Sequence, residues 1–366
     1  MRDRDGLEEI SVRDVDAVVL VGGRGTRLRP LTLDTPKPML PTAGVPFLSH
    51  LLSRLRAAGI THVVLGTSYR AEVFEEYFGD GAEFGLELEY VFEQQPLDTA
   101  GAIRNVAEHL RADDVVVCNG DILSGTDIGA LVDSHRRNRA DVTLQLQRVP
   151  DPGRFGCVPT DEHGRVLEFL EKTPHPPTDQ VNAGCYVFDR ERIREIPVGR
   201  PVSVERETFP ELLAAGAHLH GFVDTSYWLD VGTPESYVRG SADLVRGIAP
   251  TAALPGTAGE YLALPSAVTA DSRLTGGTML GDRVRVSRGA RVHGSVLLDG
   301  ASVGADAEVT DSVLGAGARV DGGTVLRGTV LAAGASVGSG CELLDGARVW
   351  PGVRIPEGGV RFSSDL

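Results

Sequence analysis

Between Gly22 and Pro41 the sequence gathers four cations, Arg24, Arg27, Arg29 and Lys37, around Gly22, Gly23 and Gly25 and among Pro30, Pro36, Pro38 and Pro41. Cations spread along a glycine-rich loop suit a phosphate: the backbone approaches closely where no side chain intervenes, and the charges neutralise the anion. A second chemical group is Asp121, which follows the apolar run Val115 to Cys118 and the pair Asn119-Gly120. A carboxylate at the tip of a central strand, preceded by a glycine that lets a ligand approach, is placed to hold a nucleotide-bound metal. The structural alternative there is an ordinary turn aspartate.

The prolines decide what kind of loop this is. A G-x-G-x-x-G dinucleotide fingerprint needs a third glycine where Leu28 stands and a helix opening at once, which the prolines forbid. The G-x-x-x-x-G-K-[ST] phosphate loop is absent. A plain glycine-rich turn with scattered arginines leaves one fact unexplained. The cations crowd the C-terminal edge of the first strand, Val15 to Val21, where open α/β sheets bind their ligands.

The elements that must position these groups alternate. Phe47, Leu48, Leu51, Leu52 and Leu55 follow helical spacing up to the stop signal Gly59, and His62 to Thr67 reads as a strand. Residues 70 to 78 are expected to be helical and 86 to 92 a strand, the βαβ rhythm of a doubly wound parallel sheet. The stretch Glu93 to Gly101 reads as a loop entering a helix whose N-terminus can face an anion or a base.

The run from Leu20 to Leu40 resembles, nearly residue for residue, the signature L-x-G-G-x-G-T-R-L-x-P-L-T-x-x-x-P-K-P-M-L of the sugar-1-phosphate nucleotidyltransferases, and the likeness to their bacterial mannose-1-phosphate guanylyltransferase branch runs from about Val15 to the C-terminus. Trp228 to Pro234 matches that family's W-x-D-x-G-T-P. The resemblance implies a Rossmann-like α/β domain with a mixed, mostly parallel sheet over residues 15–248, taking a nucleoside triphosphate, GTP favoured, and a sugar 1-phosphate, mannose 1-phosphate favoured. It implies Mg²⁺ held by Asp121 and Asp230, two oxygen donors that suit a hard cation. It puts the nucleotide against Leu20, Gly22, Gly23, Gly25, Thr26, Arg27, Glu93, Asp98, Thr99, Gly101 and Asn119. The segments 155–158, 168–172 and 181–186 match the family's sugar-phosphate strands, so Gly156, Glu171, Lys172 and Asn182 fall to the sugar phosphate. The reactive set is then Arg27, Lys37, Asp121, Lys172 and Asp230.

Two positions depart from the family pattern. Asp98 stands where glycine is usual; it is read either as an acceptor for the N1–H and amino group of guanine or as a helix-capping carboxylate. Thr173 stands where many relatives have proline.

Composition adds a clue about the lysines. Of 36 basic residues only Lys37 and Lys172 are not arginine, in a chain of net charge −15. Two lysines retained among arginines mark positions that call for a compact point charge. The acidic average field argues against nucleic acid as a partner, so a nucleotide site must be a local cationic island. Cys118, Cys157, Cys185 and Cys341 are dispersed, with no zinc or disulfide spacing. Residues 1–14 read as a charged, flexible tail rather than a signal peptide, and no apolar run spans a bilayer, so the cytoplasm is the expected compartment.

Residues 249–270 read as a linker. From Leu280, aliphatic residues recur at six-residue steps: Leu280, Val286, Val292, Leu298, then Val303, Val309, then Leu314, Val320, Leu326, then Leu331 to Ile355, with one-residue slips between runs. G-A-[RS]-V tetrads at Gly289, Gly300, Gly317, Gly334 and Gly346 reinforce the period. Such repeats predict a parallel β-helix over 271–366, left-handed by resemblance to hexapeptide-repeat families. A single histidine, His293, and no lysine there leave little for acyl transfer, so an oligomerising role is expected. Two alternatives remain at this stage: the same reaction on another hexose or a cyclitol 1-phosphate, and a non-catalytic sensor of sugar nucleotides.

Overall fold

The computed structural model describes residues 14–68, 70–170, 175–254, 256 and 258–360. Glu171, Lys172 and Thr173, and nearly all of the expected N-terminal tail, lie outside the described residues. The chain divides into two compact units. One comprises residues up to Gly22, Leu52–Gly120 and Thr126–Trp228; the other comprises Gly23–Leu51, Asp121–Gly125 and Leu229 onward.

In the first unit a seven-stranded sheet is built on β1 (Val15–Leu20). In chain order β2 (Pro41–Thr42) and β3 (Val45–Pro46) form a small hairpin of the second unit. Then β4 (His62–Thr67), β5 (Glu87–Phe92) and β6 (Asp114–Asn119) return to the large sheet. After the short β7 (Ile122–Ser124), β8 (Val142–Arg148), β9 (Gln180–Asp189) and β10 (Leu219–Asp224) complete it in the order β10-β8-β9-β6-β1-β4-β5. All its pairings are parallel except those of β9, antiparallel to both β6 and β8. The sheet is thus mixed and mostly parallel, as expected. Val18, Val64, Val115 and Val117 are fully buried among Ala100, Ile103, Phe188 and Phe209, which is why these strands read as unbroken apolar runs rather than alternating ones.

The helices are α1 (Phe47–Ala57), α2 (Glu72–Phe78), α3 (Asp98–Asn105), α4 (Ile128–Asn138), α5 (Arg190–Glu195), α6 (Phe209–Ala214) and α7 (Pro234–Val245). None among the described residues is long and apolar enough to cross a membrane.

In the second unit α7 opens on a capping box. The Thr233 hydroxyl accepts from Ser236 N–H at 3.3 Å, Thr233 N–H donates to the Ser236 hydroxyl at 2.9 Å, and Pro234 occupies the first helical turn. Together these account for the Thr-Pro of the W-x-D-x-G-T-P string. From α7, Ser241 accepts the Ala43 N–H at 3.1 Å and the Tyr237 hydroxyl donates to the Pro41 carbonyl, fixing the hairpin that ends the proline-rich loop.

The C-terminal residues form three parallel sheets of six, six and five strands, the expected β-helix. Its first coil begins at Tyr261, inside the stretch read as a linker, because Tyr261–Ala263 and Val268–Thr269 already pair in parallel with the next coil. Inside, Leu280, Leu297, Leu314, Leu331 and Val349 stack in register. The first slip therefore comes one step earlier than the sequence suggested, at Val292–Leu297 rather than Leu298–Val303: Leu297, not Leu298, is buried in the column.

Three corners are shortened to five residues, Val292–Leu297, Val309–Leu314 and Leu326–Leu331, and Ser295, Ser312 and Thr329 fill them, while Thr278 holds the matching place in the six-residue corner Leu274–Leu280. Thr278, Ser295, Ser312 and Thr329 are fully buried. Ser295 Oγ donates to His293 O at 2.8 Å and Ser312 Oγ to Thr310 O at 2.7 Å, while Ser312 N–H donates to Ser295 Oγ at 3.1 Å and Thr329 N–H to Ser312 Oγ at 3.0 Å. Each side chain thereby satisfies backbone groups that a five-residue turn leaves unpaired.

Candidate active site

The second unit brings Arg27, Lys37, Asp121 and Asp230 together. β7 pairs with β11 (Trp228–Asp230), and Val231 N–H donates to Asp121 O at 3.1 Å. This short ladder sets the two carboxylates side by side although 109 residues separate them in sequence. Lys37 Nζ lies 2.8 Å from Asp121 Oδ2 and 3.9 Å from Asp230 Oδ1. The lysine is buried, whereas the Asp121 and Asp230 side chains remain 41% and 31% exposed, open to a ligand.

Burial, and then the Asp121 charge, push the Asp230 carboxyl above its ordinary range, with Lys37 and Arg27 pulling the other way. A carboxylate pair held close and only partly neutralised attracts a further cation.

The turn that carries Arg27 is specified by Gly25. It adopts a left-handed conformation (φ 56°) and a Cβ there would lie 3.1 Å from Thr32 Cγ2 and 3.2 Å from Lys37 Cβ. Only glycine meets both demands without strain. The 3-10 turn Thr26–Leu28 follows, leaving Arg27 exposed. Gly232, which sequence reasoning quoted but did not assign, makes room for Arg27: a Cβ there would lie 2.7 Å from Arg27 Nη2 and 3.2 Å from Asp230 Oδ1. Gly23 has open space where its side chain would be.

The remaining expected residues fall in the first unit. Leu20 O accepts from Gly120 N–H at 2.9 Å, and Asn119 ends β6 opposite Leu20. Gly120 is itself required, since a Cβ would lie 2.7 Å from Val21 Cγ1. At Gly22 a Cβ would lie 2.8 Å from Ser68 Oγ, which donates to the Gly22 carbonyl. Glu93 is buried nearby; burial raises its carboxyl, opposed by the Leu97 N–H at 3.4 Å.

The start of α3 differs from expectation. The sequence suggests an N-terminus that can face an anion or a base, but the N–H groups of Ala100 and Gly101 both donate to Val202 O, at 2.9 and 3.2 Å. The Thr99 hydroxyl accepts from Val204 N–H at 2.9 Å. A Cβ on Gly101 would lie 3.0 Å from Arg200 O, so this glycine serves the close packing of segment 200–204 on the helix.

Asp98 has φ 58°, a conformation in which glycine is unstrained. That is a physical reason for the family's glycine. Its carboxylate accepts from Thr99 N–H at 2.7 Å and pairs with Arg206 at 3.2 Å.

Gly156 and Asn182 line a cavity of about 210 Å³, together with Phe169, Glu205 and Arg206. Asn182 Nδ2 donates to Glu205 Oε1 and to Tyr186 Oη, each at 2.7 Å. Glu205 and Arg206 sit on a π-helical turn, Val204–Thr208, a wide turn common at functional sites. Sequence reasoning missed them because Ser-Val-Glu-Arg-Glu reads as an ordinary solvated helix start.

Among the described residues one group of three could offer ligands to a metal elsewhere: His62, Glu87 and Glu89. Arg111 already sits among them, 2.7 Å from Glu87 and 2.6 Å from Glu89, so that cluster is a neutralised ion network.

Comparison with known proteins agrees with both parts of this architecture. Residues 16–247 match the nucleotidyl transferase family and residues 256–326 the GlmU-like C-terminal hexapeptide family. The chain is 64% identical to the mannose-1-phosphate guanylyltransferase of Mycobacterium tuberculosis over 98% of its own length and 100% of that protein's. It is 36% identical to the mannose-1-phosphate guanyltransferase of Gibberella zeae over 61% of this chain and 62% of that one. Among solved structures it is similar to HddC from Yersinia pseudotuberculosis complexed with GMP-PN, with a TM-score of 0.55 and 29% identity over 63% of this chain and 99% of that one. On the match over residues 16–247, which holds Arg27, Lys37, Asp121 and Asp230, the chain belongs to the nucleotidyl transferase family.

Proposed function

We propose that the protein transfers GMP from GTP to mannose 1-phosphate, giving GDP-mannose and pyrophosphate. The observation that carries the reading is the Lys37–Asp121–Asp230 group with Arg27 beside it, a complete phosphate-handling set in one unit. The likeness to guanylyltransferases supports guanine and mannose as the particular substrates.

The chemistry asks little of the protein as a reagent. A phosphate oxygen of the sugar is already anionic, so it bonds to the α-phosphorus as the bond to pyrophosphate breaks, with no protein nucleophile or base. The barrier lies in bringing polyanions together, and positioning with charge neutralisation lowers it. Lys37 offers the incoming phosphate a buried point charge. Arg27 neutralises the departing pyrophosphate. The two partly open carboxylates fit Mg²⁺, which takes oxygen donors and keeps several waters. When bound, Mg²⁺ supplies Lewis acidity and a template for the phosphates. In the first unit Asn182, held by Glu205 and Tyr186, faces the cavity that suits a hexose, and Lys172 is assigned to its phosphate.

We further propose that residues 15–248 carry the activity, that the β-helix makes the protein an oligomer, and that it works in the cytoplasm, where its four thiols stay reduced, Cys118 and Cys185 among them although their sulfurs, dispersed in sequence, lie 3.4 Å apart across β6 and β9. A truncation near residue 250 that kept its oligomeric mass by light scattering would remove the β-helix from that role. The function itself is tested by pyrophosphate release with Mg²⁺ across four nucleoside triphosphates and mannose, glucose, galactose and cyclitol 1-phosphates. A maximum at GTP with mannose 1-phosphate is expected. A maximum at another pair moves the specificity to that pair, and no release with any pair, alongside GDP-mannose binding, replaces catalysis with sensing.

A further inference from the structure

The six carbonyls of Gly25–Pro30, the turn that carries Arg27, each have a donor. Gly25 O accepts from Leu28 N–H at 3.0 Å and from Thr32 Oγ1 at 2.7 Å; Thr26 O accepts from Arg29 N–H at 3.2 Å. Leu28 O accepts from Leu31 N–H at 3.1 Å and Pro30 O from Leu33 N–H at 3.4 Å. Two remain, those of Arg27 and Arg29, and both accept from one side chain at the far end of the sequence. Arg348 Nη1 lies 2.9 Å from Arg27 O and 2.7 Å from Arg29 O. Over Gly25–Pro30 the loop supplies the donors for the other four carbonyls itself and takes these two donations from the β-helix, within the same unit.

The place of Arg348 in the coil stack is equally specific. The column Met279, Val296, Val313, Val330 and Arg348 runs beside the inward-pointing leucines, one residue per coil. Its first four members are buried aliphatics. The fifth is a long cation whose Nη1 alone reaches both carbonyls, one with each of its two N–H groups. Arg348 brackets Arg27 from behind: it holds the backbone on both sides of Leu28 while the Arg27 guanidinium lies over Gly232 beside Asp230.

We infer that Arg348 is a positioning residue for nucleotidyl transfer, clamping the Thr26–Arg29 turn so that the Arg27 side chain meets the phosphates. This rests on the assignment of Arg27 under the proposed function. Charge-assisted hydrogen bonds to a loop that must hold a cation within about an ångström affect rate by one to two powers of ten.

The test is a double-mutant cycle on the full-length protein, using GTP, mannose 1-phosphate and Mg²⁺. Arg348→Met keeps the aliphatic stem and should lower kcat/KM about tenfold to a hundredfold, mainly in kcat, with Arg348→Lys recovering part of the loss. Hydrogen exchange of a peptide spanning residues 24–33 should quicken in Arg348→Met while peptides from the β-helix stay unchanged. In an Arg27→Ala background, adding Arg348→Met should change little, because the side chain it positions is gone. Normal kcat/KM in Arg348→Met, or an equal further loss in the Arg27→Ala background, overturns the inference. Full activity of Arg27→Ala overturns the assignment of Arg27 instead, so the two failures are distinguishable. Should Arg348→Met melt early and lose mass by light scattering, Arg348→Lys carries the cycle alone: a partial loss of kcat with quickened exchange of residues 24–33 supports the clamp, and full activity with quickened exchange refutes it.

Discussion

Replacing Lys37 by arginine is the sharpest perturbation of the site. In a chain where 34 of 36 basic residues are arginine, the substitution is the mildest on paper. The structure argues that it fails. Lys37 is buried, its Cβ is 3.2 Å from where a Cβ on Gly25 would stand, and its ammonium is 2.8 Å from Asp121 and 3.9 Å from Asp230. A guanidinium is broader and reaches further, so its charge centre must shift by about an ångström, a displacement that lowers rate on the order of a hundredfold. Lys37→Met removes the charge and should lower kcat/KM by at least about a hundredfold, or about 2.7 kcal/mol at 1.36 kcal/mol per tenfold.

The two variants differ in pH dependence. Lys37 is one of two cations that hold the Asp230 carboxyl down against burial and Asp121. Without it that pKa rises further, so the acid limb of the kcat/KM profile should move to higher pH in Lys37→Met and less so in Lys37→Arg. Steady-state pyrophosphate release from pH 5 to 9 reads both effects. A Lys37→Arg enzyme within threefold of the wild type, with an unmoved acid limb in Lys37→Met, would refute the point-charge argument.

Gly25→Ala should lower stability by about 1–2 kcal/mol, the usual penalty for a left-handed alanine, with a larger loss in activity as Lys37 is displaced; denaturant melts beside rate measurements separate the two. Asp98→Gly relieves the left-handed strain at φ 58° and frees Arg206; a GTP preference unchanged against the other triphosphates would rule out a base-reading role for that carboxylate. The Glu89 carboxyl is held down to about 2 by hydrogen bonds from His109, His62 and Arg111, whereas His62 is held up by Asp16 and Glu89. Glu89 therefore contributes stability above its usual value of 4.5 that is lost as pH falls toward 2, and His62 contributes below its ordinary pKa and loses it as pH rises through the raised one. Thermal melts of Glu89→Gln should show a flatter dependence on both sides, by about 1 kcal/mol or less because these groups are partly exposed.

The sequence told most where local chemistry and structure coincide. The glycine at 25 and the prolines dictated a loop rather than a helix, and the apolar run before Asp121 put a carboxylate at a strand tip, both as observed. What it could not show were pairings between distant segments. The β7–β11 ladder that joins Asp121 to Asp230 is two short strands without a pattern of their own. The start of α3 looks like an open anion site until the segment 200–204 is laid over it, a contact no spacing rule foresees. Glu205 and Arg206 were hidden for the same reason: a charged turn gains its meaning from Asn182 across the cavity. In the repeats the hexad was legible, but the first of the three steps of five was placed one hexad late, because Leu297 and Leu298 are alike in type and only the buried hydroxyl at Ser295 decides which turns inward.

That hydroxyl corner has a consequence for how such a chain can change length. Inserting or deleting one residue within a strand would turn the next aliphatic outward, since alternate residues of a strand face opposite sides, so single-residue changes fall at the corners, as the 18-residue steps Leu274–Val292 and Leu331–Val349 show. Whole coils of 17 residues, each bringing its own serine or threonine, are the neutral currency of gain and loss, as tandem duplication within a gene supplies them. Each such event would also carry the end of the stack along by one strand spacing, about 4.8 Å, and take Arg348 out of reach of Arg27 and Arg29. Selection on the enzyme's rate would then fix the count of coils preceding that arginine, while coils added beyond it would be free to vary.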